Sequence, residues 1–159
     1  MDNLRTPAPS GPAVQLLVAP GVTVIGTASE SNHDYVRSLG AVPVSYGDGV
    51  EERIRDLDPR GVDAVYDAAG HGFPAVAVRL TGDPGRVVTI AGFEDASLGV
   101  RISTGSRTPT AEPLGSVLDR VAAGTFRSRI DSSFPFCDLA AAHTRGERGR
   151  LRGKILVYV

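Results

Sequence analysis

Residues 21–40, GVTVIGTASESNHDYVRSLG, run directly into AVPVSYGDG, and this stretch leaves the chain few folds to choose from. Val22, Val24 and Ile25 sit in an uncharged run over 22–27, the pattern of a strand covered on both faces of a parallel sheet. Ala28 and Ser29 make a small-residue turn, 32–39 a short helix, and 41–46 a second strand. That is a βαβ unit, the building block of a doubly wound α/β sheet.

The alternation continues down the chain. Gly47-Asp48-Gly49 is a turn, and VEERIRDLDP is an exposed helix with Val50, Ile54 and Leu57 on one face, ended by Pro59 and Gly61. A strand over 62–67 closes in Ala68-Ala69-Gly70, and a helix over 73–80 leads to a strand over 86–91. Residues 92–113 are polar and turn-rich apart from GVRIS at 99–103. A helix over 114–123 stops at Gly124, FRSRI at 126–130 reads as a strand, 138–143 begins a helix, and 154–159 is the last strand. The pattern predicts a three-layer α/β fold with a largely parallel sheet of about five or six strands.

The beginning departs from the usual dinucleotide-binding arrangement, in which an apolar strand and a Gly-rich turn bring a helix N-terminus to the pyrophosphate. The corresponding place holds LRTPAPSGP, with no GxGxxG, and its three prolines remove N–H donors where phosphates need them. That first strand lies at the centre of the order 3-2-1-4-5-6, so the sheet is expected to lack it or replace it. AVQLLVA at 13–19 admits two readings. It is a short helix closed by Pro20, or a strand in which Val14, Leu16 and Val18 alternate and which takes the lost strand's place.

VIGTASESNHDYVRSLGA resembles the second strand, following helix and third strand of the nucleotide-binding domain in medium-chain dehydrogenases/reductases, in the branch of zinc-independent quinone oxidoreductases and polyketide enoyl reductases. The likeness continues in order through VDAVYDAAG, GRVVTIAG, VAAGTFRSRIDSSFPFCDLAAAH and RGKILVYV. It implies a Rossmann-like domain over 13–159 behind a Pro-rich arm at 1–12, with 13–19 as the family's first, short helix. It also implies an edge strand at 99–103 that pairs the subunits of a homodimer and protects the edge. The family's N-terminal GroES-like domain, which roofs the nicotinamide and supplies most of the substrate pocket, has no counterpart here. Hydride transfer needs a positioned cofactor and excluded water, so NADP(H) binding is expected to be weak or lost and the reaction impaired.

The resemblance and the carboxyl ends of the strands together select the site residues. Ser29, where an NAD enzyme places an acid for the ribose, implies with Asn32 and Tyr46 an NADP-type adenosine site; the plainer reading is that Ser29 caps the helix after it. Asp67, Gly70 and His71 follow one strand, and Gly92, Glu94 and Asp95 the next. Asp67, His71, Glu94 and Asp95 are the candidate acids and bases, Gly70 and Gly92 the candidate cofactor contacts. Against this, Asp67 is a turn carboxylate and the others are solvated loop groups. Gly153 and Lys154 match a segment that approaches the cofactor, although Lys154 also simply opens the last strand. His143 and Cys137 read as packing residues at a helix.

Composition narrows the partners. A net charge of −1, with Lys154 as the sole lysine, offers no track for nucleic acid or an anionic membrane. One cysteine and three scattered histidines show no metal-ligand spacing and suit a reducing, cytoplasmic compartment. There is no P-loop and no nucleophile elbow. Three functions follow: the cofactor-binding portion of an NADP(H)-dependent quinone or enoyl reductase, a non-redox cyclase, dehydratase or isomerase acting on a polyketide-like small molecule in the former cofactor crevice, or a dimeric binding module without chemistry.

Overall fold

A computed structural model describes residues 11–70, 72–91, 97–105, 111–149, 151 and 153–159. The chain divides into two compact units, residues 1–43 with 110–159 and residues 44–109.

In the first unit AVQLLV folds as helix α1 (Gly11–Val18), the helical reading of the two, and starts earlier than expected because Pro12 is tolerated in a first turn. Gly21, at φ 86, ends it in the left-handed conformation open to glycine. Val14 then packs with Ala28, Val36 and Ala41, and Val18, Val24 and Leu39 close around them. The expected strand over 22–27 forms as β1 (Ile25–Ala28), leaving Val22 half exposed in the connection from α1. A 3-10 turn (Glu30–Asn32) leads into α2 (His33–Ser38), and β2 (Val42–Ser45) returns beside β1, with Val42 N–H donating to Val24 O at 2.9 Å. Gly40, at φ 85, is needed twice over: a side chain there would also press on Val18.

The same unit holds helix α5 (Ala111–Ala122), strand β6 (Ile130–Pro135), helix α6 (Leu139–Glu147) and strand β7 (Lys154–Tyr158). β6 and β7 pair in parallel, with a register shift between Ile130 and Ser132. The strand expected over 126–130 is therefore displaced to begin at Ile130. Gln15 explains the shift: its side-chain amide donates to Arg127 O and accepts from Arg127 N–H, both at 2.9 Å. Those are the backbone groups a neighbouring strand would have used, and Phe126 beside them is buried.

The second unit contains α3 (Val50–Leu57), β3 (Val65–Asp67), α4 (Phe73–Thr81), β4 (Val87–Thr89) and β5 (Arg101–Ile102). Both pairings in the order β3-β4-β5 are parallel, with β5 at one edge. Ala77 of α4, Val87 and Val100 form the core, covered by Val65, Phe73, Val78 and Leu98. α3 buries Val50 and Ile54, whereas Leu57, expected on the same face, is 50 % exposed at the helix end. α4 starts with Pro74 in its first turn and stops at Gly82, φ 70.

The chain has the Rossmann-like α/β fold. Its strands are hydrogen bonded in three pieces, β1-β2, β3-β4-β5 and β6-β7, rather than as one sheet of five or six. Among the described residues no strand precedes β1.

Candidate cofactor-binding site

Parallel strands with helical crossovers gather small polar residues at their carboxyl ends, where the chain leaves each strand and no side-chain packing fills the exit. At the end of β1, Asn32 Nδ2 donates to Ser29 Oγ at 3.0 Å, and Ser29 Oγ shares a hydrogen bond of 3.2 Å with Ser31 Oγ. Ser29 precedes the 3-10 turn in extended backbone, and its side chain makes no capping bond to that turn. The hydroxyl and amide are thus held together by each other. Glu30 lies next to them in the turn.

Tyr46 follows β2, and the loop it opens is gripped by Arg53, a residue that the sequence did not single out. The Arg53 guanidinium donates to Ser45 O at 2.9 and 3.1 Å and to Tyr46 O and Gly47 O at 3.4 Å. Its sequence signal is faint, because an arginine in an exposed helix ordinarily faces solvent.

At the end of β3, Asp67 is 2 % exposed. Its Oδ1 accepts from Ala69 N–H and Gly70 N–H at 3.0 Å, and its Oδ2 from Gly70 N–H at 3.1 Å and Thr89 Oγ–H at 2.6 Å. This is the turn-carboxylate arrangement, with both oxygens engaged by protein donors. Gly70 N–H is spent on the same carboxylate, so Gly70 offers a ligand its lack of side chain and not its donor. His71, Gly92, Glu94 and Asp95 lie outside the described residues.

Gly153 and Lys154 stand at the start of β7. Lys154 N–H donates to Arg129 O at 2.8 Å, and a Cβ at Gly153, φ 139, would overlap that carbonyl. Packing against the Arg129 backbone is therefore sufficient to demand glycine there, and Lys154 opens the strand with its side chain exposed.

His143 lines an open groove with Leu139, Ala142, Gly146, Glu147, Ile155 and Val157. Cys137 is exposed in the 3-10 turn before α6 rather than packed at the helix start. Among the described residues no group of three or more His, Cys, Asp or Glu stands together as a metal site, and no helix is long and apolar enough to cross a membrane.

Electrostatics in the second unit centre on Glu51. The guanidinium of Arg79, 2.7 Å from it, and then that of Arg55, 3.0 Å away, hold its carboxyl below the usual 4.5, tying α3 to α4. Arg60 likewise lowers Asp58 below 3.8 at the end of α3.

A doubly wound α/β chain with hydroxyl and amide groups at one strand end and a backbone-binding carboxylate at another belongs to the broad class of dinucleotide-binding folds. The family model described as zinc-binding dehydrogenase matches residues 39–157, and the chain belongs to that family, within the medium-chain dehydrogenases/reductases. Among curated proteins it is 28 % identical over an alignment of 173 residues to a mouse (Mus musculus) synaptic vesicle membrane protein VAT-1 homolog, covering 86 % of this chain and 42 % of that protein. It is 34 % identical over 108 residues to a probable quinone oxidoreductase of Leishmania amazonensis (65 % and 30 % of the two chains). A trans-enoyl reductase, himH, of Aspergillus japonicus is 62 % identical over 32 residues (20 % and 9 %). Among solved structures, an NAD-dependent alcohol dehydrogenase superimposes with a TM-score of 0.78 at 25 % identity, over 94 % of this chain and 48 % of that one. The chain spans less than half the length of these relatives.

Proposed function

We propose that this chain is the nucleotide-binding half of an NADP(H)-dependent quinone or enoyl reductase, and that on its own it transfers hydride poorly. The family match over 39–157 carries the reading. The Ser29–Asn32 pair at the β1 exit supports a phosphorylated ribose, since hydroxyl and amide groups stand where an NAD enzyme places an acid. Glu30 beside them makes the NADH comparison worth running. The expected impairment follows from the chain's own residues, since LRTPAPSGP, with three prolines, stands where the phosphate-binding turn is expected.

The test is titration calorimetry of the full chain with NADPH and with NADH. Weak binding that prefers NADPH over NADH is the expected outcome, and no binding at millimolar cofactor overturns the reading. The non-redox alternative draws no support from Asp67, whose oxygens are occupied, and rests otherwise on His71, Glu94 and Asp95, outside the described residues. The protein is further proposed to be a cytoplasmic homodimer, paired through the edge that β5 presents in the order β3-β4-β5.

A further inference from the structure

β3 and β4 run side by side and parallel, and their last residues, Asp67 and Thr89, are register partners. Both are buried, Asp67 at 2 % and Thr89 at 0 % exposure. Thr89 Oγ donates to Asp67 Oδ2 at 2.6 Å and accepts from Ala91 N–H at 3.1 Å. Asp67 in turn collects Ala69 N–H and Gly70 N–H. One carboxylate and one hydroxyl therefore hold backbone N–H groups two or three residues past the ends of both strands. Burying a carboxylate is costly unless donors surround it, and an apolar pair would have filled this space without that cost. The described residues that follow the two strands are Ala68, Ala69 and Gly70 after β3 and Ile90 and Ala91 after β4.

The carboxyl ends of adjacent parallel strands are where open α/β sheets take their ligands. We infer that Asp67 and Thr89 are positioning residues: together they pin the backbone at Ala69, Gly70 and Ala91, just past the two strand ends, so that dinucleotide affinity depends on the Thr89 hydroxyl beyond its share in stability. The inference rests on the reading of the chain as a cofactor-binding half. Neither side chain is a catalytic residue, because burial leaves them to act only through the backbone of Ala69, Gly70 and Ala91.

The experiment compares Thr89→Val, which keeps the shape and removes the hydroxyl, with Thr89→Ser, which keeps the hydroxyl and loses a methyl. Urea unfolding, NADPH titration calorimetry and amide hydrogen exchange are run on each full chain. Thr89→Val is expected to weaken NADPH by about tenfold or more, the scale of a lost hydrogen bond to a charged acceptor. Thr89→Ser is expected to stay within about threefold of wild type, whatever its loss in stability, because the pin is retained. Equal affinities in both variants, or affinities that simply follow stability, overturn the inference. If wild type binds no dinucleotide, the cofactor reading fails, and exchange alone decides the pin. Faster exchange at both Gly70 and Ala91 in Thr89→Val, absent in Thr89→Ser, upholds it, and a uniform rise along the chain overturns it.

Discussion

Gly153→Ala separates a glycine required by the fold from one required by a ligand. Gly153 sits at φ 139, a region closed to residues with a Cβ, and an added Cβ would overlap the Arg129 carbonyl and lie 3.1 Å from Arg129 Cγ. The obstacle cannot swing away, because Arg129 O accepts the Lys154 N–H that starts the β6–β7 pairing. The backbone conformation alone costs on the order of 1–3 kcal/mol, and forcing atoms into filled space costs roughly another 1–3 kcal/mol. A loss of at least about 2 kcal/mol is expected, a large part of the ~5–15 kcal/mol that holds a typical domain together. With a urea slope of about 2 kcal/mol per molar, that moves the midpoint down by about 1 M or more. Far-UV circular dichroism is the readout, since the chain has no tryptophan. Gly115→Ala in α5, with nothing within 4 Å of the added methyl, is the control and should gain roughly 0.5–1 kcal/mol. A Gly153→Ala midpoint equal to wild type, together with lost NADPH binding, would refute the steric argument and give Gly153 the ligand role that its resemblance implies.

Two further outcomes follow from the second unit. Arg79 and Arg55 hold the folded-state pKa of Glu51 below 4.5, so its contribution is complete above that pH and is lost as pH falls through the lowered value. Wild-type urea midpoints should therefore drop more steeply below pH 4.5 than those of Glu51→Gln, and parallel profiles would remove Glu51 from the acid response. For the dimer, light scattering should return twice the 16.6 kDa of one chain, and Arg101→Pro, which breaks the β5 edge, should halve that mass; a monomeric wild type ends the proposal.

The elements that were legible in the sequence are those whose cause is local. The βαβ unit at 21–46 needs only an uncharged run, a small-residue turn and a glycine at its helix end, and all three are neighbours in the chain. The helical reading of AVQLLVA likewise holds, since Pro20 and Gly21 terminate it on the spot. Boundaries failed where a distant partner decided them. FRSRI alternates like a strand, yet Gln15, 112 residues away, captures Arg127 and pushes the strand on to Ile130. Leu57 shares the periodicity of Val50 and Ile54, but the helix ends at Leu57 and nothing comes to cover it.

The candidate site divides along the same line. Ser29 and Asn32 are three apart, and one turn of backbone brings them into contact, so their pairing could be read from spacing. Asp67 was legible as a carboxylate at a strand exit, but its task was not, because that task depends on Thr89, 22 residues further on, and on the parallel register that makes them partners. A threonine at the end of an apolar strand looks like any β-branched residue until the sheet is assembled. Arg53 was hidden in the same way, since the carbonyls it gathers meet only once β2 turns into α3. The sequence therefore marks the strand ends, and the pairing of strands determines which polar groups there are taken up by the protein itself. Asp67 and Gly70 are committed to the protein, whereas the Ser29 hydroxyl and Asn32 amide at the β1 exit are engaged with each other, and on the proposed reading they are where a preference between NADPH and NADH is tested.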